Sequence, residues 1–291
     1  MKKLIAIAVI MMLVSPVLAD WFPGDDFKMH WPQLPDLEPT GMDVLANWPY
    51  PGNNGAFLFG KVLADDFECT ETGPITDIHI WGSWLNNVYP INPDGTQDPS
   101  AVSFKLSIHS DIKAVIGADG TVLQHSRPGD LLWEDFFTPG DPRWKTLLYA
   151  APVQEQFYDP NIDQIIGLDN EVWQYNFDID PATAFLQEGT PDNPIVYWLD
   201  VIAIPDDTNL GTIPAVWGWK TSRDHWNDDA VFGDVLDPFG VPDEWKELRY
   251  PLEHPLAGKS IDLAFVITPE PATMALLTLG SLGLLLRRRR R

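Results

Sequence analysis

A single cysteine, Cys69, stands in 291 residues. One thiol cannot close an internal disulfide, which excludes a small disulfide-stapled fold. Cys69 reads as a buried strand residue, with intermolecular pairing as the alternative. Cations are scarce as well. There are 19 Lys and Arg against 42 Asp and Glu, a net charge of −23. Nucleic-acid binding needs positive charge gathered on one face, and the one basic run is the terminal Arg287–Arg291, so nucleic acid is excluded as a partner. The six histidines, His30, His79, His109, His125, His225 and His254, are scattered singly, and none has the spacing of a zinc site. The chain has no G-x-S-x-G elbow, no H-E-x-x-H, no P-loop and no G-x-G-x-x-G. Helical periodicity is rare. Residues 182–188 have room for two turns at most, and residues 242–247 for one.

The two ends carry targeting patterns. Met1-Lys2-Lys3 is a basic start, Leu4 to Val14 is apolar, and Val17-Leu18-Ala19 is an A-x-A-like cleavage site. Residues 1–19 therefore read as a secretory signal peptide, cut by signal peptidase between Ala19 and Asp20. At the other end come Pro269-Glu270-Pro271, an uncharged run of 15 residues from Ala272 to Leu286, and five arginines. The prolines interrupt any preceding fold. The run would form a transmembrane helix of about 22 Å, short of the roughly 30 Å hydrocarbon core, a gap that thinning and snorkelling close. The arginines keep their end cytoplasmic, so the globular part lies across the membrane.

This tail resembles the PEP-CTERM sorting signal of Gram-negative bacteria, with Pro269, Glu270 and Pro271 on the signature tripeptide, followed by the apolar segment and the arginine block. The resemblance implies recognition by exosortase, a membrane protease-like sorting enzyme. It further implies a transient anchor in the inner membrane, then delivery to the cell surface or extracellular matrix. An ordinary tail anchor is the alternative reading.

The exported part, residues 20–268, has 249 residues and all 13 tryptophans. Setting aside Lys2, Lys3, Arg287–Arg291 and Glu270 leaves 12 basic and 41 acidic residues, a balance of −29. Such acidity keeps a secreted domain soluble, and it offers oxygen ligands to divalent cations. Residues 20–63 read as an irregular Pro/Trp-rich segment laid on the domain, because a free linker would be rich in Gly and Ser instead. From Ala64 the pattern has period two. Ile78, Ile80 and Trp84 alternate with Asp77, His79, Trp81 and Ser83. Phe104, Leu106 and Ile108 form another set, as do Trp173, Tyr175, Phe177 and Ile179, and Ile261, Leu263, Phe265 and Ile267. Further strands are expected over residues 131–137, 195–204 and 215–221. Turn clusters such as Asn92-Pro93-Asp94-Gly95 separate them. The pattern predicts an all-β fold: one domain over residues 64–268, a jelly-roll-like β-sandwich, with the sorting tail at 269–291.

The stretches KMHWPQLPD (28–36), ADDFECTETGPITDIHIWGSW (64–84), PGDLLWEDF (128–136) and WGWKTSRDHWNDDAVF (217–232) look like an uncharacterised exported domain recurring in PEP-CTERM proteins of planctomycete-type bacteria. That resemblance implies secretion and a single β-rich domain, and it carries no chemistry.

Two kinds of candidate site stand out. Trp81 shares a strand face with Asp77, His79 and Ser83, while Trp217 and Trp219 share another beside a polar cluster from Lys220 to Asp229. Either is a candidate platform for stacking on a sugar ring, set against the bland reading that sandwich cores hold many tryptophans. Asn92, Asp94 and Asp98 surround a glycine turn with part of a calcium-loop spacing, and Asp228 and Asp229 lie close to His225. Ca2+ is the candidate cofactor there, against the bland reading of polar turns. No acid pair for glycoside hydrolysis is singled out among 41 carboxylates. The resulting expectation is an exported, non-enzymatic structural or interaction protein of the envelope or matrix. A carbohydrate-binding module, with or without Ca2+, is the alternative and would bind extracellular polysaccharide. A secreted polysaccharide hydrolase ranks below both.

Overall fold

A computed structural model of the chain describes residues 20–51, 57–205 and 215–268. The signal peptide up to Ala19, the sorting tripeptide Pro269-Glu270-Pro271 and the apolar tail lie outside the described residues. Among the described residues the fold is all-β, with one short 3-10 turn at Leu85–Asn87 and no helix long and apolar enough to cross a membrane.

Two large sheets account for most of it. The first runs in the order Trp144–Ala150, Val172–Asp178, Asp77–Trp84, Trp217–Ser222, Met42–Leu45, Glu155–Asp159, Gln164–Asp169. The last two strands of the domain join it from the side. Asp262–Leu263 pairs with Trp217–Ser222, and Phe265–Thr268 pairs with Asp77–Trp84. The second sheet runs Lys246–Glu247, Val231–Val235, Phe57–Cys69, Ile195–Pro205, Val102–Ile112, Arg127–Phe137, and Tyr50–Pro51 pairs with Phe57–Cys69. Nearly all pairs are antiparallel, but Met42–Leu45 lies parallel to Glu155–Asp159.

Side chains alternate across each strand, so each sheet has two faces. Ile78, Ile80, Tyr175, Phe177, Trp217 and Trp219 of the first sheet meet Leu63, Phe67, Phe104, Leu106, Leu199 and Val201 of the second in one large core. Two sheets sharing one core are compatible with a β-sandwich. Cys69 is buried within it and unpaired, its Sγ 3.2 Å from the Glu71 carbonyl.

Parts of the outer faces are covered as well, and this shapes everything that follows. On the first sheet, Trp81, Val172, Ala264 and Val266 form a second cluster with Trp21. Leu45, Phe157 and Val216 form a third. On the second sheet, Val62, Ala64, Trp198, Ile202 and Val231 pack under Trp245.

The expected irregular segment needs correcting. Residues 20–63 contain the strand Met42–Leu45, deep in the first sheet, and much of Phe57–Cys69. Four residues reading apolar–acid–apolar–apolar are too short a run to display a period. Neither stretch with room for a helical turn, 182–188 or 242–247, forms a helix. Asp180 caps one turn through Ala182 N–H (2.9 Å), after which Leu186–Gln187 pairs with Gly73–Pro74. Trp245 is pulled into the cluster on the second sheet, and this draws Lys246–Glu247 into pairing with Val231 and Phe232.

Candidate functional site

Trp81, Trp217 and Trp219, the candidate sugar platforms, are all 0% exposed. Their faces follow the alternation, but neither face reaches solvent. Trp217 points into the main core, edge-on to Phe104 at 5.2 Å and to Tyr175 at 5.8 Å. Trp219 stands against Phe265 at 6.0 Å, and its Nε1 donates to the Ala264 carbonyl at 2.8 Å. Trp81 points the other way and is sealed by Trp21 (6.0 Å) and Tyr149 (5.6 Å). No flat ligand can stack on them.

The Asn92–Asp98 candidate closes on itself. Asp94 Oδ1 accepts from Thr96 N–H (3.0 Å) and Thr96 Oγ1 (2.6 Å), and Asn92 Nδ2 donates to Thr96 Oγ1 (3.2 Å). Asp98 Oδ1 accepts from Ser100 N–H (2.8 Å) and Ser100 Oγ (2.7 Å). These oxygens serve their own turns and do not converge. Asp228 accepts from Asn227 Nδ2 (2.8 Å), Asp229 pairs with Arg249, and His225 pairs with Asp262, so this second candidate is also divided among separate partners.

The acids that do converge are others. Among the described residues, Asp43, Glu155 and Asp169 are the one such group: each brings a carboxylate oxygen within 4.8 Å of the other two. Sheet pairing places them. Asp43 lies directly across from Lys220, and Glu155 directly across from Asp169. The parallel contact between Met42–Leu45 and Glu155–Asp159 brings the two pairs side by side. All four side chains point to the outer face of the first sheet. Lys220 Nζ pairs with Glu155 Oε2 and lies 3.6 Å from Asp43 Oδ2.

Two glycines make the packing feasible. A Cβ at Gly218 would stand 3.1 Å from Asp43 Cβ and 2.7 Å from the Phe157 ring, so the bare backbone lets Asp43 lie flat across it. A Cβ at Gly41 would meet Lys220 Nζ at 2.7 Å and the Asp36 carbonyl at 2.1 Å, where the chain turns over the ammonium. The result is closed: Asp43 and Lys220 are 0% exposed, Glu155 2% and Asp169 4%.

Much of this cluster has no hydrogen-bond partner. Both oxygens of Asp43, both of Asp169, Glu155 Oε1 and the neighbouring Ser83 Oγ are unpartnered. Ser83, which pairs with Gly218 on the neighbouring strand, turns its hydroxyl toward Asp43. Burial is the main cause that raises the carboxyl groups. It pushes Glu155 up to about 8, against Lys220 and with help from Asp43. It pushes Asp169 up to about 10, with Asp43 and Glu155 adding to it. Asp43 is raised by burial too, with Lys220 opposing. For Lys220, burial opposes the charge, but Asp43 and Glu155 outweigh it and the ammonium is held more firmly. Such a site can take up protons or a hard cation. Being sealed, it cannot reach a polysaccharide chain, so these acids are not a hydrolytic pair.

A second acidic group lies on the strand Phe57–Cys69. Asp65 Oδ2 accepts from Gln33 Nε2 (2.8 Å) and Leu263 N–H (2.7 Å). Asp66, on the opposite strand face, accepts from Asn227 Nδ2 (2.7 Å) and lies in the field of Asp228, Asp262 and Asp111. Sequence reading passed over the central cluster. Its sole signals were a lone acid between Met42 and Val44 and a lone lysine after Trp219. Its members come from four strands, and nothing in one sequence shows which strands meet.

Residues 29–268 match a family model described as a domain of unknown function, DUF7901. Residues 268–291 match the PEP-CTERM protein-sorting motif, which implies an exported protein targeted to exosortase and the cell envelope. No curated protein and no solved structure matches the chain. The chain belongs to the DUF7901 family, and in it a domain of that family runs straight into a PEP-CTERM sorting motif.

Proposed function

We propose that this is a non-enzymatic structural or interaction protein of the cell envelope or extracellular matrix, delivered by its sorting tail on a jelly-roll-type sandwich. The chain's repeated crossing from one sheet to the other supports the jelly-roll part of the reading. The observation that carries the functional part is the junction at Thr268. The last strand, Phe265–Thr268, ends where the sorting motif begins, and Thr268 is buried, its Oγ1 donating to Asp77 Oδ2 at 3.0 Å. Cleavage near Pro269–Pro271 therefore removes the tail and leaves every strand of the domain in place. The domain is a closed body built to survive processing and remain outside the cell.

The test is expression of the full chain in a host with exosortase and in the same host without it. The expected outcome is a shortened chain in the surface fraction of the first and a full-length chain in the inner membrane of the second. Replacing Pro269, Glu270 and Pro271 with alanine should reproduce the second pattern. Equal processing in all three would sink the sorting reading, and release of reducing sugar from envelope polysaccharide by the purified chain would sink the non-enzymatic one.

Carbohydrate binding is retained as a second reading on one specific feature. An open groove of about 600 Å3 is lined by Asp98, Ser100, Asp141, Trp144, Lys145 and Trp173. Trp173 is half-buried, so part of its ring faces the groove beside polar groups, which suits a sugar. A glycan array probed with the full chain and with Trp173→Ala decides it. Binding that the variant loses supports this reading, and no binding by either removes it.

A further inference from the structure

We propose that Asp43, Glu155 and Asp169 hold one divalent cation of the hard, oxygen-preferring class, with Ca2+ the favoured member, as an internal staple of the first sheet. The inference is independent of the sorting reading.

The first argument is charge. Three carboxylates face a single ammonium, Lys220, and all four groups are at most 4% exposed. Fully ionised, they leave an excess of two negative charges. Buried charge without a counter-charge is strongly unfavourable. One divalent cation cancels the excess.

The second argument is the unpartnered oxygens. Asp43 and Asp169 each present two oxygens without a hydrogen bond, although Asp43 Oδ2 also faces the Lys220 ammonium at 3.6 Å, Glu155 presents one, and Ser83 Oγ, itself 0% exposed, is turned toward Asp43. Buried polar atoms are nearly always satisfied, so a group of this size in one place points to a missing ligand. Ca2+ takes about six to eight oxygen ligands in flexible geometry, which suits carboxylates and a hydroxyl. Mg2+ demands near-octahedral geometry and retains several waters, which this sealed site does not favour. Zinc prefers nitrogen and sulfur donors, and the cluster offers only oxygen.

The third argument is position. The three acids join Met42–Leu45 to Glu155–Asp159 and Gln164–Asp169. The first of these contacts is the parallel pair, between strands distant in sequence. An ion there ties an early strand to a hairpin made more than a hundred residues later.

The test starts from the full chain, unfolded and refolded in chelator-treated buffer to empty a site this closed. Melting is followed with and without added CaCl2, and bound metal is measured by elemental analysis. The expected result is one retained Ca2+ per chain and a rise in Tm of about 5 °C or more at saturation. Asp169→Asn should abolish the Ca2+-dependent rise while leaving the chelated form about as stable as wild type, since a neutral amide replaces a carboxyl that burial already holds protonated when no cation is bound. Should that variant not refold, Glu155→Gln is read the same way for the Ca2+-dependent rise. Asp94→Asn should leave the rise intact. An identical Tm with and without Ca2+ and no retained metal would overturn the proposal, and would leave protons as the balancing charge. A rise that survives Asp169→Asn and disappears in Asp94→Asn would place the ion elsewhere and overturn it too. An equal response to MgCl2 would overturn the choice of Ca2+.

Discussion

Asp66 is 1% exposed, and its Oδ1 has no partner while Oδ2 accepts from Asn227. Burial above all raises its pKa to about 9, with Asn227 opposing and Asp228, Asp262 and Asp111 adding. A carboxyl raised on folding binds its proton more tightly in the folded state. Its contribution is therefore complete below the unfolded value of about 4 and is lost as pH rises toward about 9. His30 shapes the opposite limb. Its Nδ1 accepts from Glu68 N–H (3.3 Å), its ring stacks on Trp226 at 4.2 Å, and burial lowers its pKa to about 3. The neutral ring is the folded form, so its contribution is complete above about 6.5 and declines as pH falls toward 3. The expected outcome for Asp66→Asn is a smaller fall in Tm between pH 5 and pH 9 than wild type shows. Melts at the two pH values check this, and an unchanged fall would mean that Asp66 is already ionised in the folded chain. Nothing in the sequence around Asp65 and Asp66 indicated this, because their partners Gln33, Asn227 and Asp262 arrive from elsewhere in the chain.

At the scale of elements, the N-terminal strap decides what the first sheet's outer face is. Trp21 is 3% exposed, its ring meets Trp81, and its carbonyl accepts from Gln174 Nε2 at 3.0 Å. Further along, Lys28 N–H donates to the Ile267 carbonyl (2.7 Å), and Asp36 N–H to the Thr221 carbonyl (2.9 Å). The strap is thus stitched across strands of the sheet and converts a polar–aromatic face into a second core. Trp21→Ala should cost about 3–5 kcal/mol, the range for removing a buried aromatic ring. Urea denaturation of wild type and variant measures it. A loss under about 1 kcal/mol would mean the strap rests on the sheet without supporting it. The alternation of Ile78, Ile80 and Trp84 against Asp77, His79, Trp81 and Ser83 was legible in the sequence, and so was the pairing of Trp217 with Trp219 on one face. Which face met water was not. Alternation fixes sidedness alone, and the cover came from residues 20–36, whose prolines and aromatics carry no period.

For the whole molecule, the excess of acid over base does two separate things. Most of the described carboxylates are exposed or partly exposed, where like charge favours solubility. Ten of the described ones are buried, and strand pairing gathers Asp43, Glu155 and Asp169 among these, where the same chemistry becomes a demand for a counter-charge. Export was determined by the sequence itself. A tripeptide, an apolar run and an arginine block are consecutive residues, so the pattern is legible without the fold, and the motif match at residues 268–291 agrees. The all-β class was determined there as well, because period-two alternation is a local property of consecutive residues. The tertiary structure alone decided the rest. It put three tryptophans of the candidate platforms into cores, closed the Asn92–Asp98 turn on itself, divided His225, Asp228 and Asp229 among separate partners, and brought together three acids and a lysine spread over 178 positions from Asp43 to Lys220. The reason is that burial and convergence depend on which strands lie side by side, and strand order is set by the packing of the whole core, which no single stretch of sequence records.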